Sequence, residues 1–561
     1  MRKLLLLLIN RRVVIFRSAL LVLITGILYG CPLGDGELHG VEDREIWFEP
    51  QPFGMAFVKM GSYNMGPNDQ DVSWAMTAEA KVVSVPPFWM DITEITNNEY
   101  RQFVYWVRDS LVYSKLIADA SGVYDSDNYG EEIFFKEDYF TDNDPPDNKL
   151  GDNPLLKTYS ESRFIDWEKK IPWDVEPSDA SGNAGDNTII WDIVKSVYYQ
   201  GDEKFYDRWE LDGRVLNYVY YWIDLEQAAR IQSFKRSSDG DTIRLQRRKA
   251  FNWDSLYVNI NVEDLDVKGL FGKQNSGGDD LYSGKVKIKG QEFKKSKNSQ
   301  DTKPEYKNGQ IVNVRNRGSY IMKDIVNVYP DTLCWISDFT YSYNDPMTKM
   351  YFWHPAYDNY PVVGVNWKQA TAFGVWRTNL RNHYLKTMGE TFVQDFELPT
   401  ESQWEYAARG GLKESMYPWG GYYTTNMHGC YITNFKPMRG NYPADGGFYP
   451  VMVAINAPND YGLYDMAGNV AEWTSNAFDE AAYSWTDDLS PDYHYNALPT
   501  EDPRMKRKVI RGGSWKDIAY YLQCGTRTYE FQDTSKSYIG FRNVRAYLGR
   551  DMNDSGESNV Y

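Results

Sequence analysis

Thiols and imidazoles are scarce in this chain of 561 residues, which carries four cysteines and five histidines. The histidines are scattered, and none stands at a zinc-like spacing from a cysteine, which excludes a Cys/His zinc module. Cys31 has a separate role, argued below. The remaining Cys334, Cys430 and Cys524 permit at most one disulfide, in any of three pairings, so this is no disulfide scaffold. Positive charge is also in deficit: 61 Lys and Arg stand against 78 Asp and Glu, a net charge of −17. Wholesale nucleic-acid binding needs a basic footprint and is therefore not expected. Long apolar runs are missing beyond the N-terminus. The run from Ala19 to Tyr29 has the length of a signal-peptide core and is too short to span a bilayer.

What the chain does have is ring-bearing side chains. Its 44 tyrosines and 19 tryptophans, with 42% hydrophobic residues, are ample for a packed, loop-rich fold in which large amphipathic rings fill irregular gaps. At the N-terminus Arg11, Arg12 and Arg17 precede the apolar run, which ends in Leu28-Tyr29-Gly30-Cys31. That ending resembles a bacterial lipobox. It predicts a signal peptide over 1–30, lipid on Cys31, and an acidic, Gly-rich tether over 31–49.

Along the chain, "PFGMAFVKMGSYNMG" (Pro52 to Gly66) alternates like paired strands with glycine turns. In "VPPFWMDITEITNNEYRQFVYWV" a short strand leads to a helix capped by Thr96, with Glu99 three residues on and Tyr100, Phe103, Val104 and Val107 at helical spacing. From about 110 to 349 the texture shifts to Asp, Asn, Tyr and Lys. Ordered elements are expected within Trp209 to Phe234 and a hairpin within Gly272 to Lys303. A basic cluster, Arg244, Arg247, Arg248 and Lys249, stands out on an acidic chain. Its readings are a solvated face or a docking patch for an acidic partner. After Tyr351 come a helix opening near Asn366, with Ala370, Phe373 and Trp376 on one face, and another capped by Thr400 and Gln403 and ended by Gly410-Gly411. Short helices among so many turns imply an irregular α+β fold.

Six blocks in order, "FVKMGSYNMG", "FWMDITEITNNEYRQF", "PVVGVNWKQA", "LPTESQWEYAARGG", "NDYGLYDMAGNVAEWTS" and "VIRGGSWKD", resemble the formylglycine-generating-enzyme/sulfatase-modifying-factor superfamily. The resemblance implies an irregular, loop-rich fold of the C-type-lectin-like kind. It divides the chain into a first core part over 50–109, a long insertion over 110–349, a second core part over 350–548 and a polar tail over 549–561. In that family's oxidases two cysteines follow the Gly-Gly-Ser and bind copper, a chemistry that needs two soft thiolates close together. Here Asp517 takes the place of the first, and the segment that holds the second is shortened around Ala519 to Leu522 without a thiol. Cys524 matches a structural position ahead of Arg527. The resemblance therefore implies no catalytic residues and no catalytic cofactor. It also carries calcium ligands onto Asn434 and Asp445 for one site, and onto Asn469 and Glu472 for another, oxygen donors suited to a hard cation.

The lipobox, the long insertion and "MYFWHPAYDNYPVVGVNWKQA" together look like the lipoproteins of the Bacteroidota gliding and type IX secretion machinery, of the GldK/PorK kind. GldJ-type lipoproteins are the nearest competitor. The resemblance implies an outer-membrane lipoprotein facing the periplasm, which self-associates into a ring with a GldN/PorN-type partner and meets other secretion components, with the basic cluster as a partner-binding patch. An oxidase with an altered site and a calcium-dependent glycan-binding module are the alternative classes.

Overall fold

Each of the principal helices starts where a side chain closes a reciprocal pair of hydrogen bonds. The computed structural model describes residues 49–67, 80–118, most of 191–223, 321–338, 350–388, 392–497 and 501–549. It also describes 171, 173, 347 and short strands between 235 and 312. Helix α1 (Asn97–Ala118) opens on Thr96, whose amide and hydroxyl both donate to Glu99 while the Glu99 amide donates back to the Thr96 hydroxyl. A short helix α2 (Cys334–Asp338) precedes α3 (Trp367–Met388), where Asn366 and Gln369 exchange the same two bonds at 2.8 and 2.9 Å. Helix α4 (Glu401–Arg409) has a full capping box from Thr400 and Gln403, and ends at Gly410 in the left-handed region, φ 59°. Such caps satisfy amides that the helix itself leaves without partners. The residues expected on the inner faces of α1 and α3 are buried: Tyr100, Phe103, Val104, Val107, Ala370, Phe373 and Trp376.

The fold is mixed α and β and rich in loops. Strands β1 (Met55–Val58), β2 (Gly61–Met65), β3 (Lys81–Val85) and β4 (Phe88–Asp91) come first. Neighbouring β1 and β2 do not pair with each other, as the alternation had suggested. β1 pairs with β4 and β2 with β3, both antiparallel. Close packing explains the split at Gly61, where a Cβ would lie 2.3 Å from the Tyr406 hydroxyl, so β2 is pressed against α4 rather than folded back on β1.

Strands β5 (Asn217–Ile223) and β6 (Ile321–Asn327) form an antiparallel pair. Strands β7 (Phe396–Glu397) and β12 (Val544–Ala546) complete one sheet in the order β1-β4-β12-β7. Strands β8 (Ala471–Ala477), β9 (Arg507–Arg511), β10 (Thr528–Phe531) and β11 (Ile539–Gly540) form the other, in the order β10-β9-β8-β11 with only β8-β11 parallel.

The stretch read as an insertion contributes to the main core. Leu216, Tyr218, Tyr220, Val326 and Val328, on and beside the β5–β6 pair, pack with Tyr100, Phe103, Phe373, Trp473 and Phe541. Helix α1 runs through position 110 without a break to Ala118. Within Gly272 to Lys303, Val286–Ile288 pairs with Gln291–Phe293 as a hairpin. Thr242–Leu245 pairs with Gln310–Val312, which sets Arg244 opposite Ile311. Arg247, Arg248, Lys249 and Cys31 lie outside the described residues. No helix among the described residues is long and apolar enough to cross a membrane.

Candidate functional site

The segment after β9 is turned sharply by two glycines in the left-handed region, Gly512 at φ 89° and Gly513 at φ 66°. A side chain at 513 would put its Cβ 2.7 Å from the Tyr521 carbonyl, so only glycine lets the chain fold back this tightly. The turn presents Ser514, Trp515, Lys516 and Asp517. The Ser514 hydroxyl donates to the Asp517 carboxylate at 2.6 Å. Burial pushes the Asp517 pKa up, with the Ser514 bonds and the nearby Lys516 and Lys436 pulling the other way. Trp515 stacks on Trp335 and meets Tyr449 edge-on, and its amide donates to the Asn469 carbonyl at 2.9 Å.

The three described cysteines are free and sit in different surroundings. Cys524 is buried with Val58, Met65, Trp404 and Met466, and burial pushes its thiol up to about 12. Cys334 is buried beside Trp335 and Tyr351. Its thiol is also raised, first by burial and then by Asp331 and Asp338. Cys430 is exposed, beside the Thr425–Tyr431 bridge. Reactivity follows thiolate fraction and access. In the folded protein a thiol reagent at pH 8 is therefore expected to label Cys430 fast, and Cys334 and Cys524 only after unfolding. Peptide mapping of the labelled sites checks this; rapid labelling of Cys524 in the native state would contradict it.

The loops before β8 bring together three of the four oxygen-bearing residues. Asn434 donates to the Tyr449 carbonyl at 3.0 Å and lies 3.5 Å from the Asn469 side-chain oxygen, which also accepts the Val451 amide at 2.9 Å. Asp445 accepts the amides of Phe435 and Gly447 at 2.7 and 3.2 Å. Its pKa is raised by burial against those bonds. The Asn434 side-chain oxygen is buried without a hydrogen-bond partner, and a Cβ on Gly447 would sit 2.7 Å from it. A lone buried amide oxygen beside a desolvated carboxylate fits a hard cation.

Glu472 is placed differently. Its two oxygens accept from Arg542 at 2.6 and 2.7 Å, and one also accepts the Trp404 indole N–H at 2.7 Å. A guanidinium already neutralises it, so the Asn469 and Glu472 pair does not fit a cation as the resemblance implied.

Sequence reasoning passed over Glu94 and Asp465. Glu94 is fully buried and accepts from the Asn469 side-chain amide at 3.2 Å. Burial raises its pKa well above the ordinary carboxylate value, Asp465 raises it further, and Arg542 opposes them. Asp465 has a buried, unpartnered oxygen and the left-handed φ of 54°. Both residues stand in blocks the sequence reading had already singled out, but nothing local says that the charge of one acts on the other. Among the described residues no three His, Cys, Asp or Glu side chains converge as a metal cluster, so a cation here would rest on amide and main-chain oxygens as well.

Three relatives are similar to this chain over about a third of its length. The inactive C-alpha-formylglycine-generating enzyme 2 of Bos taurus is 34% identical over 190 residues, covering 33% of this chain and 49% of that protein. The formylglycine-generating enzyme of Mus musculus is 33% identical over 194 residues, covering 34% and 45%. That of Thermomonospora curvata is 34% identical over 199 residues, covering 33% and 55%. The chain thus spans about half the length of the curated relatives it matches. The model of the sulfatase-modifying factor enzyme 1-like domain matches residues 48–163 and 337–547, more than half of the chain, and leaves the stretch between unmatched. From its glycine turn to its capped helices, this chain belongs to the sulfatase-modifying factor enzyme 1-like domain family.

Proposed function

We propose that this protein is a non-catalytic structural lipoprotein of the GldK/PorK kind. It is held at the periplasmic face of the outer membrane by acyl chains on Cys31. There it self-associates into a large ring with a GldN/PorN-type partner and works with other secretion-system components. The observation that carries the non-catalytic reading is the turn after β9. A carboxylate, Asp517, engaged with Ser514, stands where the family's oxidases place a copper thiol. The nearest following thiol, Cys524, is buried and protonated at neutral pH. Two thiolates do not meet there, and soft cuprous ion has no site to favour it. Relatives carry both the inactive and the formylglycine-generating names, so the family alone does not decide the chemistry.

The purified protein is expected to hold no stoichiometric copper and to form no aldehyde on a cysteine-containing sulfatase peptide. Cys31→Ser is expected to move the protein out of the outer-membrane fraction and to abolish secretion. Several acyl chains make membrane residence stable where one is marginal. Copper at one equivalent per chain, lost in Cys524→Ser, would overturn the non-catalytic reading. An unchanged outer-membrane fraction for mature Cys31→Ser would overturn the anchoring.

A structural calcium ion belongs to the same proposal, held by Asn434 and Asp445 with neighbouring carbonyls. An ion that binds only the folded state stabilises it by mass action, by about 2.7 kcal/mol at a hundredfold excess over its dissociation constant. Chelator should lower the melting temperature, and calcium should restore it. Asn434→Leu should remove that sensitivity, whereas Glu472→Gln should leave it while destabilising the fold. A melting curve indifferent to chelator would rule the ion out.

A further inference from the structure

We propose that this chain docks head to tail onto a second copy of itself, a basic, aromatic-rich face of one copy meeting an acidic face of the next. The inference rests on the self-association in the proposed function and supplies its two surfaces.

The first face is built on the turn that holds Asp517. The Lys436 amide donates to the Asp517 carbonyl at 2.9 Å, which ties the 436–448 loop to Ile518. Phe448 reaches the same turn through Tyr449, which it meets edge-on at 4.8 Å and which packs on Trp515 at 5.4 Å. Met438, Tyr442, Phe448 and Ile518 are 56%, 38%, 53% and 53% exposed. The Lys436 ammonium lies 5.0 Å over the Tyr442 ring, and Arg439 is exposed beside it. Lys516 is part-exposed and lies 3.7 Å from Asp338. The acids of these loops are spent inward, Asp445 on the amides of Phe435 and Gly447 and Asp517 on Ser514. The surface is therefore apolar with a cationic rim.

The second face joins β3 to the segment after β8. The Ser84 amide donates to the Asp488 carbonyl and the Ser490 amide to the Ser84 carbonyl, each at 2.9 Å. This bridges Leu489 (71% exposed) to Ser84 of β3, whose Val82 is 65% exposed, and Trp485 (53%) directly precedes Thr486, whose carbonyl accepts from Lys81. Asp487 is exposed, and the Asp488 side chain is 85% exposed. The facing cation is Lys81, largely covered, 3.3 Å from Asp488 and donating to the Thr486 and Asp487 carbonyls. It offsets part of the two negative charges.

Contiguous exposed apolar side chains mark interaction sites, and aromatic and Met side chains anchor them. Either face set against its own copy juxtaposes like charges, whereas the two set against each other are complementary. Two unlike faces make a heterologous contact, which propagates into a ring or a filament.

The test is sedimentation velocity on the full chain in detergent at about 0.1 M salt, where surface charges still act over about 10 Å. The wild type should associate with rising concentration. Lys436→Glu with Arg439→Glu, and separately Asp487→Lys with Asp488→Lys, should each weaken association by about tenfold or more. An equimolar mixture of the two should assemble again as an alternating array, because every junction then pairs opposite signs, one as in the wild type and the next with the signs exchanged. All four changes in one chain should restore assembly with the signs exchanged. A wild type that assembles, and is unchanged by either reversal, overturns these faces and leaves the self-association standing. A wild type that stays monomeric overturns both. So does binding to phosphatidylethanolamine vesicles with roughly 30% phosphatidylglycerol that disappears with the first reversal in a monomeric protein, because the basic face is then a lipid surface.

Discussion

Arg511→Ala is expected to lower the unfolding free energy by about 3–5 kcal/mol, because it leaves buried carboxylate charge short of its partner. Arg511 ends β9 with its side chain fully enclosed. One of its terminal nitrogens donates to Glu401, Glu405 and the Tyr483 hydroxyl, and the other to the carbonyls of Cys524 and Thr526. Arg527 shares Glu401, and Arg409 shares Glu405 while also donating to the Gly66 and Ser415 carbonyls. The three guanidiniums thus lock α4, β9 and the Cys524 segment together in the interior. Arg511→Lys keeps the charge but not the planar fork, and should recover only part of the loss.

The pH dependence follows from Glu401. Burial alone would raise its pKa, but Arg527 and Arg511 together hold it below its ordinary 4.5. A depressed carboxylate contributes stability that is present above the unfolded value and lost as pH falls through the lower folded value. Removing Arg511 shrinks that depression, so the acid-unfolding midpoint should move to higher pH. Urea unfolding at pH 7 and an acid titration followed by circular dichroism check both statements. A loss below about 1 kcal/mol, the value of an exposed pair, would sink the account.

Deleting residues 110–349 as a block should abolish folding. The deletion removes the end of α1, the β5–β6 pair and α2, and with them Leu216, Tyr218, Tyr220, Val326, Val328 and Trp335 from two apolar clusters. Burying one such side chain is worth about 1.5–3 kcal/mol. The loss is therefore on the order of 10 kcal/mol, as large as the whole stability of a typical domain. A smaller excision should behave otherwise. Ile223 and Ile321 face each other across the pair, and an Asn-Gly turn closes two antiparallel strands at such a point. Replacing 224–320 by Asn-Gly should leave a cooperatively melting protein whose near-ultraviolet circular dichroism is preserved. If the large deletion folds, or the small one does not, the division of this region into core and appendage is wrong. The small excision also removes Arg244, Arg247, Arg248 and Lys249, so its binding to the proposed GldN/PorN-type partner tests the proposed patch without disturbing the core.

The features legible in the sequence lie close together along it. Thr96 and Glu99, Asn366 and Gln369, and Thr400 and Gln403 are each three residues apart, and each closes the cap its spacing implies. The glycines at 410, 512 and 513 are where the backbone turns left-handed. By contrast, the strand partner of Met55–Val58 is Phe88–Asp91 rather than its neighbour. The candidate cation site shows the same divide. Asn434 and Asp445 are joined locally through the Phe435 amide, whereas Asn469 reaches Glu94, 375 residues away, and Glu472 reaches Arg542, 70 residues away.

By itself the sequence determined the starts of α1, α3 and α4, the glycine stop of α4, the buried faces of α1 and α3 and the glycine turn ahead of Asp517. Each is set by residue chemistry within a turn or two, where rotamers and backbone hydrogen bonds act directly. Only the tertiary structure decided that Glu472 meets an arginine and that part of the apparent insertion is core. Those outcomes depend on which distant groups exclude water from one another. Spacing along the chain carries no record of that exclusion.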